Sequence, residues 1–242
     1  MTPGVRASTL AGMLLILAAG VCATAGAASP APTIPAAEVP SELAAALQAL
    51  PDRERGERLF ATCAACHGVD GMGQPDGAAP AIAGQYRVVL LRQLVDYRVG
   101  RRWDLRMEHV MQLRRLETVQ DIADVAAFAA ALPATGRVTI GNGRHLGVGA
   151  ASYLRHCADC HGATGQGSAE AAVARLAGQH HPYLLRQFFD VLEGRRPPLS
   201  ASHGRSMADM DQARAEGIAD YLSRMQPRAP DASPASPPGG AR

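Results

Sequence analysis

Lysine is absent from this 242-residue chain: all 24 basic residues are arginine, set against 22 acidic ones for a formal charge of +2. So even a balance provides no basic surface of the kind that binds nucleic acid. Aromatic residues are scarce, at 4%, although the apolar fraction of 47% is enough to build cores. Few large side chains are available to fill those cores, so another body is expected to supply core surface. No run approaches the roughly 20 apolar residues that a membrane-spanning helix needs. No segment shows the apolar and polar alternation of a half-buried strand. These absences leave an all-α protein as the expectation.

The chain opens with Arg6, an apolar run over Leu10–Ala19 and small residues over Ala23–Ala28, the order of a secretory signal peptide. Residues 1–27 are assigned to it, with export to the periplasm expected and no transmembrane span after cleavage. Cys22 precedes the cleavage points after Ala25 or Ala27, so five cysteines become four. The expected organisation of the remainder is a Pro/Ala-rich spacer (28–50), a first domain (51–132), a linker (133–141), a second domain (142–226) and an unpacked tail (227–242).

Two domains are expected because the sequence repeats itself. Shifted by 94 positions, Cys63-Ala64-Ala65-Cys66-His67-Gly68 falls on Cys157-Ala158-Asp159-Cys160-His161-Gly162. In the same register Ala83-Gly84-Gln85 meets Ala177-Gly178-Gln179, Leu90-Leu91-Arg92-Gln93 meets Leu184-Leu185-Arg186-Gln187, and Gly100-Arg101-Arg102 meets Gly194-Arg195-Arg196. A shift of 96 instead pairs Ile122-Ala123-Asp124 with Ile218-Ala219-Asp220. Each repeat reads as a helix, a Gly-rich loop, a helix, an irregular stretch and a closing helix. Leu90, Leu91, Leu94 and Val95 recur at helical spacing, as do Leu184, Leu185, Phe188 and Leu192. Gly100 and Gly194 are placed to stop those helices, and Thr118 with Asp121 reads as an N-cap.

Two cysteines three apart near the end of a helix present both sulfurs on one side, where they can add to the two vinyl groups of a haem, and the next residue can reach the iron. Cys63, Cys66 and His67, and Cys157, Cys160 and His161, carry this attachment signature. A zinc site usually collects its second ligand pair within about 20 residues, whereas the next pair here lies 94 positions away. A redox dithiol expects a βαβ context, and disulfides leave the paired histidines unexplained.

Cys-x-x-Cys-His-Gly, a Gly-rich loop, Leu/Ile-Ala-Gly-Gln, a helix closing with Gly-x-Arg and a final Ile-Ala-Asp helix together resemble a class I cytochrome c domain. Two in tandem behind a signal peptide resemble the periplasmic dihaem cytochrome c-four family. The resemblance implies an all-α fold of two domains, each wrapped around one covalent haem c, and single-electron transfer without a catalytic group. It implies redox partners: a donor dehydrogenase or quinol-oxidising complex, and an acceptor oxidase or reductase. Peripheral membrane association is compatible with it. Two other readings are a dihaem redox enzyme with one open iron position and a dedicated cytochrome subunit of a dehydrogenase or oxidase complex.

The family habit is a distal methionine, from which this sequence departs. His109 and His203 each lie 42 residues after their attachment histidine, which makes a second imidazole the expected distal ligand. Met107, Met111 and Met207 are the alternatives, because the 96 shift maps Met111 onto Met207. His145, His156, His180 and His181 are expected at the surface. Arg101 or Arg102, and Arg195 or Arg196, are the expected neighbours of the haem propionates.

Overall fold

The structure is a computed structural model and describes residues 1, 41–112, 116–196 and 201–227. The assigned signal peptide, most of the spacer and nearly all of the tail lie outside the described residues. The chain divides into residues 1–30 and a compact unit of residues 31–242, and the architecture below belongs to the second. Among the described residues the regular structure is helical: α1 (Ser41–Gln48), α2 (Arg53–His67), α3 (Arg87–Arg98), α4 (Leu105–Gln112), α5 (Val119–Ala131), α6 (Leu146–His156), α7 (Ala158–His161), α8 (His181–Leu192), α9 (Ala201–Met207) and α10 (Gln212–Ser223). None of these helices is long and apolar enough to cross a membrane.

The first half is built on α2 crossing α5, and the second on α6 crossing α10. A buried aspartate anchors each crossing. Asp124 of α5 is fully buried and accepts from the Asp52 backbone N–H (2.8 Å), Arg55 Nη1 (2.6 Å) and Gln120 Nε2 (2.7 Å). Asp220 of α10 accepts from the Gly143 N–H (2.6 Å) and Arg224 Nε (2.6 Å). These donors satisfy a charge that burial would otherwise make costly. Thr118 and Asp121 form the expected capping box at the start of α5. Gly100 and Gly194, at φ +71° and +72°, follow the last residues of α3 and α8.

The first core gathers Phe60, Leu91, Val95, Leu116, Ile122 and Val125, with Phe60 and Phe128 tilted against each other at 5.2 Å. Residues 41–48 correct the spacer boundary at 50. They form α1, whose Leu43 and Ala46 join this core, and Arg98 pairs with Glu42 while Arg87 donates to the Ala46 and Ala49 carbonyls. The two apolar positions, three apart, are enough to seat one face of a short helix. The second core is smaller, with Tyr153, Leu184, Ile218 and Leu222. Tyr153 is fully buried with its hydroxyl donating to the Gly162 carbonyl at 2.6 Å. Cys157 departs from helical geometry, at φ −124° and ψ −33°, so the counterpart of α2 is split into α6 and α7.

The two halves face each other through residues that obey the 94 offset. Gln85 donates to the Arg175 carbonyl (2.9 Å) and accepts from its N–H (3.0 Å). Gln179 donates to the Ala81 carbonyl (2.8 Å) and accepts from its N–H (2.9 Å). Tyr86 donates through its hydroxyl to the Gln166 carbonyl (2.9 Å), and its counterpart His180 donates through Nε2 to the Met72 carbonyl (2.7 Å). The Thr139 N–H donates to His180 Nδ1 (3.0 Å), which fixes the neutral tautomer. His180, expected at the surface, is 3% exposed because it is one of these rungs. Each carboxamide acts as a short strand edge, matching a neighbouring backbone donor and acceptor together.

Gln85→Ala strands both backbone groups of Arg175, and Gln179→Ala strands those of Ala81. Each variant is expected to lose about 1–3 kcal/mol in urea unfolding of the holoprotein. The double variant is expected to unfold in two resolved steps.

Candidate haem sites

In the first half the last turn of α2 carries Cys63, Cys66 and His67 in a row. Cys63 is half-buried, and burial pushes its thiol up to about 11; Cys66 is exposed. His67 is 7% exposed, and its Nδ1 lies 2.9 Å from the Pro80 carbonyl. A carbonyl can only accept, so Nδ1 carries the proton and Nε2 keeps its lone pair. Burial also holds the His67 pKa below its usual value, which keeps the ring neutral. A neutral, carbonyl-anchored imidazole with a fixed tautomer is the form in which histidine binds a metal.

The second half repeats this chemistry despite its broken helix. His161 Nδ1 lies 2.9 Å from the Ala174 carbonyl, and burial lowers its pKa. Burial raises Cys157 to about 11, and Cys160 is exposed. The four cysteines among the described residues are free. Among the described residues no group of three or more His, Cys, Asp or Glu side chains is assembled to hold a bare metal ion, so a zinc reading has no ligand set.

The loop that offers the Pro80 carbonyl is folded back onto the helix end. The Gly73 N–H donates to the His67 carbonyl (2.8 Å), and the Gln74 N–H donates to the Ala79 carbonyl (2.9 Å). Gly73 sits at φ +76°, where a Cβ would stand 2.4 Å from the Ala79 oxygen. The Gly167 N–H and the His161 carbonyl repeat the first bond at 2.8 Å.

Cys63, Cys66 and His67 line a cavity of about 270 Å³ whose walls include Ile82, Leu94, Met107 and Val110. An apolar cavity meeting two free thiols and a neutral, anchored imidazole fits a haem joined through both cysteines. It also accounts for the scarcity of aromatic core residues.

The distal candidates separate clearly. On α4, Met107 lines the cavity, Met111 is 5% exposed within the first core, and His109 is exposed. On α9, His203 is half-buried, and burial together with the nearby charges of His161 and Arg196 pushes its pKa down to about 4. Met207 is buried, at 6% exposed. The pairs Met107/Met111 and His203/Met207 keep the 96 offset of the closing helices, so His203 stands in the position of Met107. In that register His109 corresponds to Arg205. Of the remaining histidines, His145 lies 3.6 Å from Glu216, and His156 is exposed.

Helical halves closed by packed terminal helices, each carrying a Cys-x-x-Cys-His motif with a carbonyl-anchored histidine, the first of them opening on an interior cavity, define a c-type cytochrome. Residues 53–132 match the cytochrome c family. The chain is 35% identical to cytochrome c4 of Pseudomonas aeruginosa over 60% of its own length and 73% of the relative's, and 32% identical to that of Azotobacter vinelandii over 60% and 74%. It is 32% identical to a thiosulfate dehydrogenase electron acceptor of Stutzerimonas stutzeri over 67% of this chain and 78% of that one. The crystal structure of reduced cytochrome c4 from Pseudomonas stutzeri superposes with a TM-score of 0.64 at 27% identity, covering 73% of this chain and all of that one. The chain belongs to the dihaem cytochrome c4 family, whose cofactor is covalent haem c, two per chain.

Gly73→Ala tests the folded-back loop. Left-handed strain costs about 1–3 kcal/mol, and the overlap with Ala79 adds to it. Gly100→Ala, at φ +71° with nothing within 4 Å of an added Cβ, bears the strain alone. In denaturant unfolding of the holoprotein, Gly73→Ala is expected to lose distinctly more stability than Gly100→Ala.

Proposed function

We propose that this electron carrier works in the periplasm, passing single electrons between a dehydrogenase or quinol-oxidising complex and an oxidase or reductase. When bound, haem c supplies the one-electron iron couple. Cys63 and Cys66 hold one haem with His67 as proximal ligand; Cys157 and Cys160 hold the other with His161. The carrying observation is the pair of neutral histidines, each anchored at Nδ1 by a backbone carbonyl. An imidazole pinned in this way changes little between redox states, as a carrier requires.

Met107 serves as the distal ligand in the first half and His203 in the second. Support comes from the exposure of His109, the cavity-lining position of Met107 and the closeness of the half-buried His203 to His161. A thioether is the weaker, softer donor and favours ferrous iron. The first half is then the higher-potential site and the second the lower. With both iron faces held by the protein, no position is left for substrate. The apolar run over Leu10–Ala19 supports export.

A second reading follows from a specific likeness. The chain resembles the thiosulfate dehydrogenase electron acceptor noted above, and matches a thiosulfate dehydrogenase structure from Marichromatium purpuratum with a TM-score of 0.63 at 28% identity, over 72% of this chain and 40% of that one. Under this reading the donor is a thiosulfate-oxidising enzyme. Rapid reduction of the purified cytochrome by such an enzyme plus thiosulfate, and not by thiosulfate alone, is the result that favours it.

The ligand assignment predicts a far-red sulfur-to-iron charge-transfer band in the oxidised protein at the intensity of one haem. Met107→Ala should abolish it, whereas His109→Ala and Met111→Ala should leave it. Two bands' worth of intensity, or none, would overturn the mixed ligation. Carbon monoxide binding to the unmodified reduced protein would argue against a carrier with both faces closed.

A further inference from the structure

The peptide groups that hold the two proximal histidines also reach across the interface. The peptide joining Pro80 to Ala81 accepts the His67 Nδ1–H at its carbonyl (2.9 Å), and its N–H donates to Gln179 Oε1 of the other half (2.9 Å). The peptide joining Ala174 to Arg175 is its counterpart, with its carbonyl on the His161 Nδ1–H (2.9 Å) and its N–H on Gln85 Oε1 (3.0 Å). A single peptide therefore links each histidine to a side chain of the opposite half.

The glutamine oxygens are held in place by their own backbone. Gln179 Oε1 also accepts from the His180 N–H (3.0 Å), and Gln85 Oε1 from the Tyr86 N–H (3.0 Å). With each Oε1 taken by two donors, Nε2 is left for the Ala81 and Arg175 carbonyls, at 2.8 and 2.9 Å, so the donor and the acceptor of the carboxamide are both used. The following peptides are tied down as well: the Ile82 N–H donates to the Gly71 carbonyl at 2.7 Å, and the Leu176 N–H to the Gly165 carbonyl at 2.8 Å. Neither anchoring peptide can turn from its histidine without breaking bonds to both halves.

Hydrogen bonds in a chain polarise one another, each strengthening the next by about 10–30%. A peptide whose N–H is bonded carries more negative charge on its carbonyl oxygen. A stronger acceptor at Nδ1–H makes the other ring nitrogen a better donor to a metal. A better donor favours ferric iron, so the potential falls.

We propose that Gln179 and Gln85 are positioning residues acting across the interface: each tightens the hydrogen bond on the proximal histidine of the other half, and thereby lowers the reduction potential of the haem held there. The proposal rests on the haem assignment above. It gives the repeated Ala-Gly-Gln a part in electron transfer beyond cohesion of the halves. Each potential then depends on the two halves being together.

The test uses intact holoproteins carrying Gln179→Met or Gln85→Met, which keep the length of the side chain and lose its carboxamide. Redox-titrated spectra and proton NMR of the two proximal ring Nδ1–H groups in the reduced state are the readouts, with covalent haem content as the check on assembly. In Gln179→Met the His67 ring proton should move upfield, and the reduction equilibrium of the first site should rise about threefold, about 28 mV at 59 mV per tenfold for a one-electron couple. His161 and the second site should change far less. Gln85→Met should give the converse. Tyr86→Phe removes a cross-half bond that ends on neither anchoring peptide, and should leave both ring protons and both potentials near the parent's. Shifts in the substituted residue's own half, equal shifts in both halves, or shifts matched by Tyr86→Phe would mean a loosened interface and overturn the proposal, as would ring protons that do not move. If a methionine variant fails to assemble, Gln179→Asn and Gln85→Asn take its place: the shorter carboxamide weakens the same bonds and should shift the same proton and the same potential in the same direction by less, and an unmoved proton would again count against the relay. Fewer than two covalent haems in the unmodified protein would defeat the underlying haem reading, independently of the glutamines.

Discussion

The bond between a buried imidazole and one backbone carbonyl, His67 to Pro80 and His161 to Ala174, is the constraint around which each half is arranged. To make it, the loop after the Cys-x-x-Cys-His motif must return to the end of its own helix. That return requires a left-handed residue at Gly73 or Gly167, and burial of the ring then keeps the free nitrogen unprotonated. Fold and metal chemistry are set by the same few atoms. In the first half Cys66 precedes the histidine directly and Cys63 lies one turn back on the same helix, so the helix that places His67 also places both sulfurs.

Much of this was legible in the residues. The two helices with Leu90-Leu91 and Leu184-Leu185, their glycine stops and the Thr118–Asp121 cap stand where periodicity and cap chemistry put them, because those signals are local. The short helix α1 was not legible, since only two of its apolar side chains are buried and its seat depends on Arg87 and Arg98 from distant sequence. The break at Cys157 has no sequence signal that separates it from the continuous Cys63.

The distal segment was ambiguous for a physical reason. Two registers compete, 94 from the motif side and 96 from the closing helix, and His109 belongs to the first while Met107 belongs to the second. Spacing alone cannot weigh them. Met111 and Met207, equivalent in the second register, are both buried, which supports the proposed ligands Met107 and His203 one helical turn earlier. The distal helices themselves pack on α3 and α8.

The interface explains why the 94 register persists where it does. Gln85 and Gln179 bond Arg175 and Ala81, themselves 94 apart, and Gln93 and Gln187 bond Arg102 and Arg196 in the same relation. In a face built from two copies of one surface, a residue meets partners whose positions are set by its own counterpart, as across an isologous contact. An insertion between the motif and Gly-Arg-Arg in one copy would misplace both rungs of every such pair. Beyond Arg102 and Arg196 a residue answers chiefly to the core of its own half, and there two extra residues were accommodated. The offset held over the stretch that pairs the halves and slipped just after it, so the boundary between the two registers marks the edge of the interdomain surface.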